Sequence, residues 1–294
     1  MKIAIFGKFY RKNLESSIVT LLRVLGNKQI EIYFDEQFYT SIKAQKNSNF
    51  IAFNFKTFKR LDNSYDLLIS IGGDGTMLRA ITYVRDFNIP IVGINTGRLG
   101  FLATIQKDNI QNAIEDILKG NYRISERSLL TIKTEPENES LLDFNVALNE
   151  IAVSRKNTTS MITVETYLNN EYLTSYWADG LIISTPTGST GYSLSCGGPV
   201  IMPDADSFTL TPIAPHNLNA RPLVIPDSTE IKLKVSGRED SYLVSLDSRI
   251  ATLNNNSIVT IKKADFKIKM IELKGESFIH TLRKKLLWGE DKRN

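Results

Sequence analysis

The stretch Asp66–Ala80, DLLISIGGDGTMLRA, constrains the fold more than any other part of the chain. Leu67, Leu68, Ile69 and Ile71 form a short apolar run of the kind that a parallel strand buried on both faces requires. Behind it Met77, Leu78, Ile81 and Val84 recur at helical spacing, so one helix face packs back on the sheet. Gly72, Gly73 and Gly75 lie between strand and helix. Glycines at this density let the main chain come close to a ligand, and the helix behind them turns free N–H groups and its positive dipole end toward an anion. The same residues also read as a plain strand-to-helix turn in which Asp74 caps the helix.

The residues around this unit repeat its pattern. Lys2–Phe6 reads as a buried strand ending at Gly7, and Ile18, Leu21, Leu22 and Leu25 mark a helix that stops at Gly26. Glu31–Phe34 reads as a second strand, residues 35–49 as a helix with a loop, and Ile51–Phe55 as a short third strand. After the central unit comes the apolar strand Ile89–Ile94, which runs into a second glycine turn, Asn95–Leu102. The helix Asn109–Leu118 then closes at Gly120. Strands alternating with helices predict a doubly wound, mostly parallel sheet, whose ligands sit at the carboxyl ends of the strands. Neither GxGxxG nor GxxxxGK[ST] occurs, so the common dinucleotide and P-loop fingerprints are missing.

From Tyr122 to Met270 the texture changes to short, period-2 segments. Met161–Leu168 alternates cleanly and Asn169-Asn170 supplies a hairpin turn. Further strands are expected at Leu223–Ile225, Ile231–Val235, Tyr242–Leu246, Ile258–Ile261 and Phe266–Met270. This describes an antiparallel, sandwich-like domain. Ser277–Trp288 returns to helical spacing with Phe278, Leu282 and Leu286, and is expected to pack back on the first domain. The division is therefore an α/β domain at 1–121, a β-rich domain at 122–271, and a C-terminal segment at 272–294. Within the β-rich half, Asp179–Ser195 follows an apolar strand with Ser184, Thr185, Thr187, Ser189, Thr190, Ser193 and Ser195, hydroxyls that can donate to and accept from a sugar or phosphate. A polar loop between strands is the other reading.

Composition narrows the function. At 294 residues, 42% hydrophobic and 23% charged, the chain is of ordinary globular type with room for two domains. Its single cysteine, Cys196, excludes an internal disulfide and suits a reducing compartment; without a histidine nearby it reads as a small packed residue. The opening MKIAIFGK is too short for a signal-peptide core and no apolar run approaches membrane-spanning length, so a cytoplasmic location is expected. A net charge of +4 suits an anionic small molecule. No dense basic cluster with interleaved aromatics points to nucleic acid, and Arg283-Lys284-Lys285 reads as a solvated helix face.

Five boxes together resemble the bacterial-type NAD kinases over nearly the whole chain. They are GGDGT at Gly72–Thr76, NTGRLGFLA at Asn95–Ala103, Asn149-Glu150 within LNEIAVSR, DGLIISTPTGSTGYSLSCGGP at Asp179–Pro199, and TPIAPHNLNARPLVIP at Thr211–Pro226. GGDGT alone is shared with diacylglycerol and sphingosine kinases and with phosphofructokinases; the five in this order are specific. The resemblance implies transfer of a phosphoryl group from ATP to the 2′-hydroxyl of the adenosine ribose of NAD, giving NADP, with a divalent cation, normally magnesium, accompanying ATP. Such chemistry needs positioning, charge stabilisation and one carboxylate for the attacking hydroxyl. By the resemblance Asp74 is the proton acceptor, Asp74-Gly75 also contacts the dinucleotide, and Gly72, Gly73 and Gly75 face the phosphates.

The same resemblance gives NAD contacts to Asn149 and Glu150, to Asp179, and to Thr190, Gly191, Tyr192, Ser193, Leu194 and Ser195. Asn149 also reads as a β-turn residue. Arg79, Asn95, Ser160, Trp177 and Arg249 are further candidates, and the metal ligands stay unassigned. Three positions depart from the family pattern. Gly191 replaces the usual alanine, Trp177 stands where many relatives have a basic or small residue, and the later DGQ appears as Asp247-Ser248-Arg249, which sets a charged group where relatives use a neutral amide. The resemblance further implies a homo-oligomer, a tetramer or dimer built through the β-rich domain. Two rivals remain: a lipid kinase would need a membrane-facing apolar or polybasic element, and a non-catalytic dinucleotide sensor would have no use for Asp74.

Overall fold

The computed structural model describes residues 1–8, 10, 14–26, 29–44, 56–157 and 160–287. The strand expected at Ile51–Phe55, the loop at 45–49 and Trp288 at the end of the last helix lie outside them. The chain forms two compact units, one comprising Met1–Glu126 and the chain from Ile268 onward, the other Arg127–Lys267.

The first unit begins with β1 (Lys2–Gly7), α1 (Glu15–Gly26), β2 (Glu31–Asp35), α2 (Glu36–Lys43), β3 (Lys56–Phe58), β4 (Leu67–Gly72), α3 (Asp74–Val84), β5 (Ile91–Asn95), β6 (Ile105–Gln106), α4 (Ile110–Leu118) and β7 (Tyr122–Arg127). The second unit carries β8 (Leu130–Glu135), α5 (Glu139–Leu142), β9 (Val146–Ala147), β10 (Glu150–Arg155), β11 (Ile162–Leu168), β12 (Glu171–Ala178), β13 (Gly180–Ser184), α6 (Tyr192–Ser195), β14 (Ser207–Ile213), β15 (Leu223–Pro226), β16 (Ile231–Gly237), β17 (Ser241–Leu246), β18 (Arg249–Asn254) and β19 (Ile258–Lys263). The chain then returns to the first unit with β20 (Ile268–Leu273) and α7 (Phe278–Leu286).

In the first unit the sheet order is β3-β2-β1-β4-β5-β20-β7, with β6 paired to β5. β1 pairs in parallel with both β2 and β4, so the chain builds outward on one side of β1 and then on the other. The carboxyl ends of β1 and β4 therefore form the topological switch point, where an open α/β sheet leaves a crevice for ligands. Gly72 ends β4 there. Apolar residues bury one face of the sheet, where Ile3, Ile5, Ile69 and Ile94 from strands pack with Leu21, Leu22 and Ile114 from helices in one cluster.

Periodicity assigns Tyr122 onward and Phe266–Met270 to the β-rich half, and the fold corrects both. β7 and β20 are strands of the first unit's sheet, Met270 pairs in parallel with Ile91, and Ile271 and Leu273 belong to the first unit's core. An alternating segment carries no local sign of which sheet it joins. α7 follows, and its Phe278 ring lies 5.9 Å from that of Phe101 in the same unit.

The second unit holds two six-stranded sheets, β15-β14-β13-β10-β17-β18 and β12-β11-β16-β19-β8-β9. Ile151, Val153, Tyr242, Val244 and Leu246 of the first meet Ile162, Val164, Leu233, Val235, Val259 and Ile261 of the second in one core. The β11–β12 hairpin turns through Asn169 and Asn170 at φ 50° and 67°, the left-handed pair that a primed turn requires. Between β9 and β10 the chain passes from one sheet to the other through Leu148 and Asn149, which belong to neither ladder. Among the described residues no helix is long and apolar enough to cross a membrane.

Candidate functional site

In the first unit α3 opens at Asp74, but the cap position is Gly73 and Asp74 makes no capping bond. Its carboxylate instead reaches the second glycine turn. Phe101 N–H donates to Oδ2 over 2.7 Å, while Leu102 and Ala103 N–H donate to Oδ1 over 3.1 and 3.0 Å. A carboxylate has about four acceptor positions, so these three amides leave room for a further donor such as a hydroxyl. Gly100 is needed for the contact, since a Cβ there would lie 1.9 Å from Asp74 Oδ1. A Cβ on Gly72 would lie 2.2 Å from Thr76 Oγ1, which holds the turn tight, whereas one on Gly73 or Gly75 would meet nothing within 4 Å. The outer side of the turn is open, as a phosphate-approaching main chain requires.

Asn95 and Arg79 both act within the chain's own structure. Asn95 is buried, its Nδ2 donates to Arg98 O and Ala103 O, and its Oδ1 accepts from Gly97 N–H. It shapes the loop that delivers the three amides to Asp74. Arg79 is exposed on α3, and its charge acts on buried Asp35. Burial raises the Asp35 carboxyl, opposed by the amides of Phe38 and Gln37, the Tyr83 hydroxyl and Arg79.

In the second unit Leu148-Asn149-Glu150 is held by side chains from elsewhere. Asp247 accepts from all three N–H groups, at 3.1 Å from Leu148, 2.8 Å from Asn149 and 3.3 Å from Glu150. Thr185 N–H donates to Asn149 O, and the Thr185 hydroxyl donates to Leu148 O. Gly188 closes against the same segment, where a Cβ would lie 2.0 Å from Asn149 O. Within this scaffold Asn149 Oδ1 and Glu150 Oε2 are buried without a hydrogen-bond partner. Buried acceptors are rarely left so, and two of them on adjacent residues offer a place for incoming donors. Glu150 is 8% exposed; burial first and the Asp247 charge second push its carboxyl up to about 7, against the pull of the Tyr192 N–H. At Gly191 a Cβ would come within 2.9 Å of Glu150 Oε2, so the missing methyl gives that carboxylate room.

The hydroxyl-rich box behaves differently from its sequence promise. Ser184, Thr185, Thr187, Ser189 and Ser193 are buried. Ser189 Oγ donates to Ile201 O and accepts from Ile201 N–H, Ser193 Oγ pairs with Thr211 Oγ1 at 2.8 Å, and Thr190 Oγ1 donates to Thr187 O. Most of the hydroxyls thus tie the chain to itself. The segment's accessible groups are Tyr192 and Ser195, both exposed, with Thr190, Gly191 and Leu194 half-buried. Cys196 is half-buried and its thiol is raised by burial.

Asp179, at the start of the box, forms an ion pair with Arg155, Oδ2 to NH2 at 2.9 Å. Trp177 is exposed with its ring 4.4 Å from that of His216, and Ser160 is a half-buried loop residue before β11. Arg249 turns its guanidinium fork to the main chain. Its NH1 and NH2 donate to Phe144 O and Val146 O, main-chain groups more than a hundred residues earlier. The sequence alone does not mark Asp247 and Thr185 as the supports of the 148–150 segment, or the amides of residues 101–103 as the partners of Asp74. Asp247 at φ 52° in a two-residue hairpin is the one local signal.

Comparison with known proteins places the chain in a family. The family model for the ATP-NAD kinase N-terminal domain matches residues 3–122, and that for the C-terminal domain matches residues 148–273. The chain is 61% identical to an NAD kinase of Christiangramia forsetii and 60% identical to one of Flavobacterium psychrophilum, each over the full length of both chains. Among solved structures, an NAD kinase from Archaeoglobus fulgidus in complex with ATP superposes with a TM-score of 0.75 at 25% identity, over 98% of this chain and 99% of that one. Yeast NADH kinase complexed with NADH shares the fold, with a TM-score of 0.85 at 21% identity over 100% and 89% of the two chains. Through both matched domains and its full-length relatives, this chain belongs to the NAD kinase family.

Proposed function

We propose that this member of the NAD kinase family transfers the γ-phosphoryl group of ATP to the 2′-hydroxyl of the adenosine ribose of NAD, with Asp74 as the group that receives the hydroxyl proton. The observation that carries the role of Asp74 is its carboxylate, oriented by three main-chain amides beside an open glycine turn at the sheet's switch point. The ribose oxygen attacks the γ-phosphorus, the bond from phosphorus to the β,γ-bridging oxygen breaks, and ADP leaves while Asp74 takes the proton. Positioning dominates such a transfer, so a carboxylate held rigidly by amides is suited to it. The free N–H groups at the start of α3 face the phosphates.

For NAD recognition, Asn149 Oδ1 and Glu150 Oε2 are the acceptors left for donors on the base and ribose. Asp179, paired with Arg155, and the accessible Tyr192, Leu194 and Ser195 supply further contacts. Among the described residues no cluster of three or more His, Cys, Asp and Glu side chains gathers to cage a metal ion. A magnesium ion accompanying ATP would be held chiefly by the nucleotide's own phosphates. Such an ion supplies charge neutralisation at the transferring phosphoryl group.

Incubation of the purified protein with ATP, magnesium and NAD tests the reading, with NADP as the expected product. A protein that binds NAD but forms no NADP would be a sensor, and phosphorylation of diacylglycerol or sphingosine instead would make it a lipid kinase; either result overturns the proposal. The same preparation, examined by light scattering, is expected to be a homo-oligomer, and a monomer at working concentration would refute that part. The single cysteine fits a reducing, cytoplasmic setting.

A further inference from the structure

We infer that Arg249 is a positioning residue for NAD recognition, fixing through Asp247 and the carbonyls of Phe144 and Val146 the main chain from which Asn149 and Glu150 project. The inference rests on the reading that this pair contacts NAD. The segment 144–150 leaves one sheet and enters the other, and its Leu148 and Asn149 have no ladder partners of their own. Much of its main chain is held instead by one hairpin, β17–β18, with Thr185 taking Leu148 O and Asn149 O. Upstream of the crossing, Arg249 NH1 and NH2 donate to Phe144 O and Val146 O, with the guanidinium over the Phe144 ring at 5.1 Å. Within it, Asp247 takes the N–H groups of Leu148, Asn149 and Glu150 and returns its own N–H to Glu150 O over 3.0 Å.

The cation and the anion are two residues apart on one hairpin, so they grip the carbonyl side and the amide side of the same short segment. Burial alone would favour the neutral form of each. Asp247 is raised by desolvation and restrained by the amides and by Arg249, while Arg249 is lowered by desolvation and supported by Asp247 and Asp143. Each charge thus makes the other tolerable in a site where an isolated charge is costly. Glutamine has neither the charge nor the five-donor fork, and lysine has the charge without the fork.

The test compares Arg249→Gln, Arg249→Lys and Glu150→Gln with the unaltered enzyme, measuring KM for NAD, KM for ATP, kcat and melting temperature. Both Arg249 variants are expected to raise the NAD KM by about tenfold or more, in keeping with the cost of small displacements of binding groups. The ATP KM and kcat at saturating NAD should stay within about threefold, a split that general destabilisation would not produce. An unchanged NAD KM in folded Arg249→Gln, or in Arg249→Lys if the glutamine variant does not fold, overturns the inference. Equal losses in both substrates' KM overturn it as well. Glu150→Gln separates the two layers: an unchanged NAD KM there refutes the contact role of Glu150 itself, whereas a raised one beside normal Arg249 variants refutes only the positioning role.

Discussion

Phe101 donates its main-chain N–H to Asp74 Oδ2 over 2.7 Å, and the next two amides take Oδ1, so the acid of the first glycine turn is oriented by the backbone of the second. An asparagine at position 74 would keep one acceptor and set an NH2 against an N–H. Asp74→Asn is therefore expected to lose stability as well as activity. An unsatisfied donor costs about 1–3 kcal/mol, and loss of a positioned acid–base group about 10²–10⁴ in rate. Melting temperature and NADP formation on one preparation check both; retained turnover would remove Asp74 from the chemistry.

Gly100→Ala probes the same contact from the other side. The new Cβ would fall 1.9 Å from Asp74 Oδ1, so loop or carboxylate must move. A displacement of about 1 Å at a reacting group can cost on the order of a hundredfold. The expected outcome is a fall in kcat larger than any rise in the NAD KM, read from steady-state kinetics.

Phe278→Ala tests the support behind that loop. The Phe278 ring of α7 packs on Phe101, and truncating a large core aromatic costs about 3–5 kcal/mol when fully buried. Phe278 is only half-buried, so the loss should be smaller. A lower kcat with an unchanged NAD KM, alongside a modest drop in melting temperature, is the expected result.

Glu150 makes stability depend on pH. Its carboxyl stands at about 7 in the fold against 4.5 for the free group, raised by burial and then by Asp247. The neutral form is the favoured one in the fold, so its stabilising effect is fully present below pH 4.5 and is lost as pH rises through 7. The whole loss is on the order of 3 kcal/mol. Glu150→Gln, permanently neutral, should melt higher than the unaltered protein by a margin that widens across this window and levels off above it. Thermal unfolding without NAD at pH 5 and pH 8 measures the margin; an equal difference at both values would contradict it.

Ser193→Ala separates structure from recognition inside the box. Ser193 is fully buried and bonded to Thr211, and loss of one such bond costs about 1 kcal/mol. The variant should melt a few degrees lower with an NAD affinity near normal by calorimetry. A large loss of affinity would return Ser193 to the list of direct contacts.

Local pattern determined much of this protein. The strand, glycine turn and helix at Asp66–Ala80 follow from an apolar run, a cluster of glycines and a 3.6-residue period, and the turn at Asn169-Asn170 follows from residues that tolerate positive φ. The motif order was enough to identify the family. Only the tertiary structure decided that β20 completes the first unit's sheet and that most of the Ser and Thr hydroxyls of 184–193 turn inward. It alone paired Asp74 with amides 27 to 29 residues later and Arg249 with carbonyls 105 and 103 residues earlier. Periodicity records which face of an element is apolar. A hydrogen bond between distant segments leaves no period, and a hydroxyl or a guanidinium has the same letter whether it meets a ligand or its own chain.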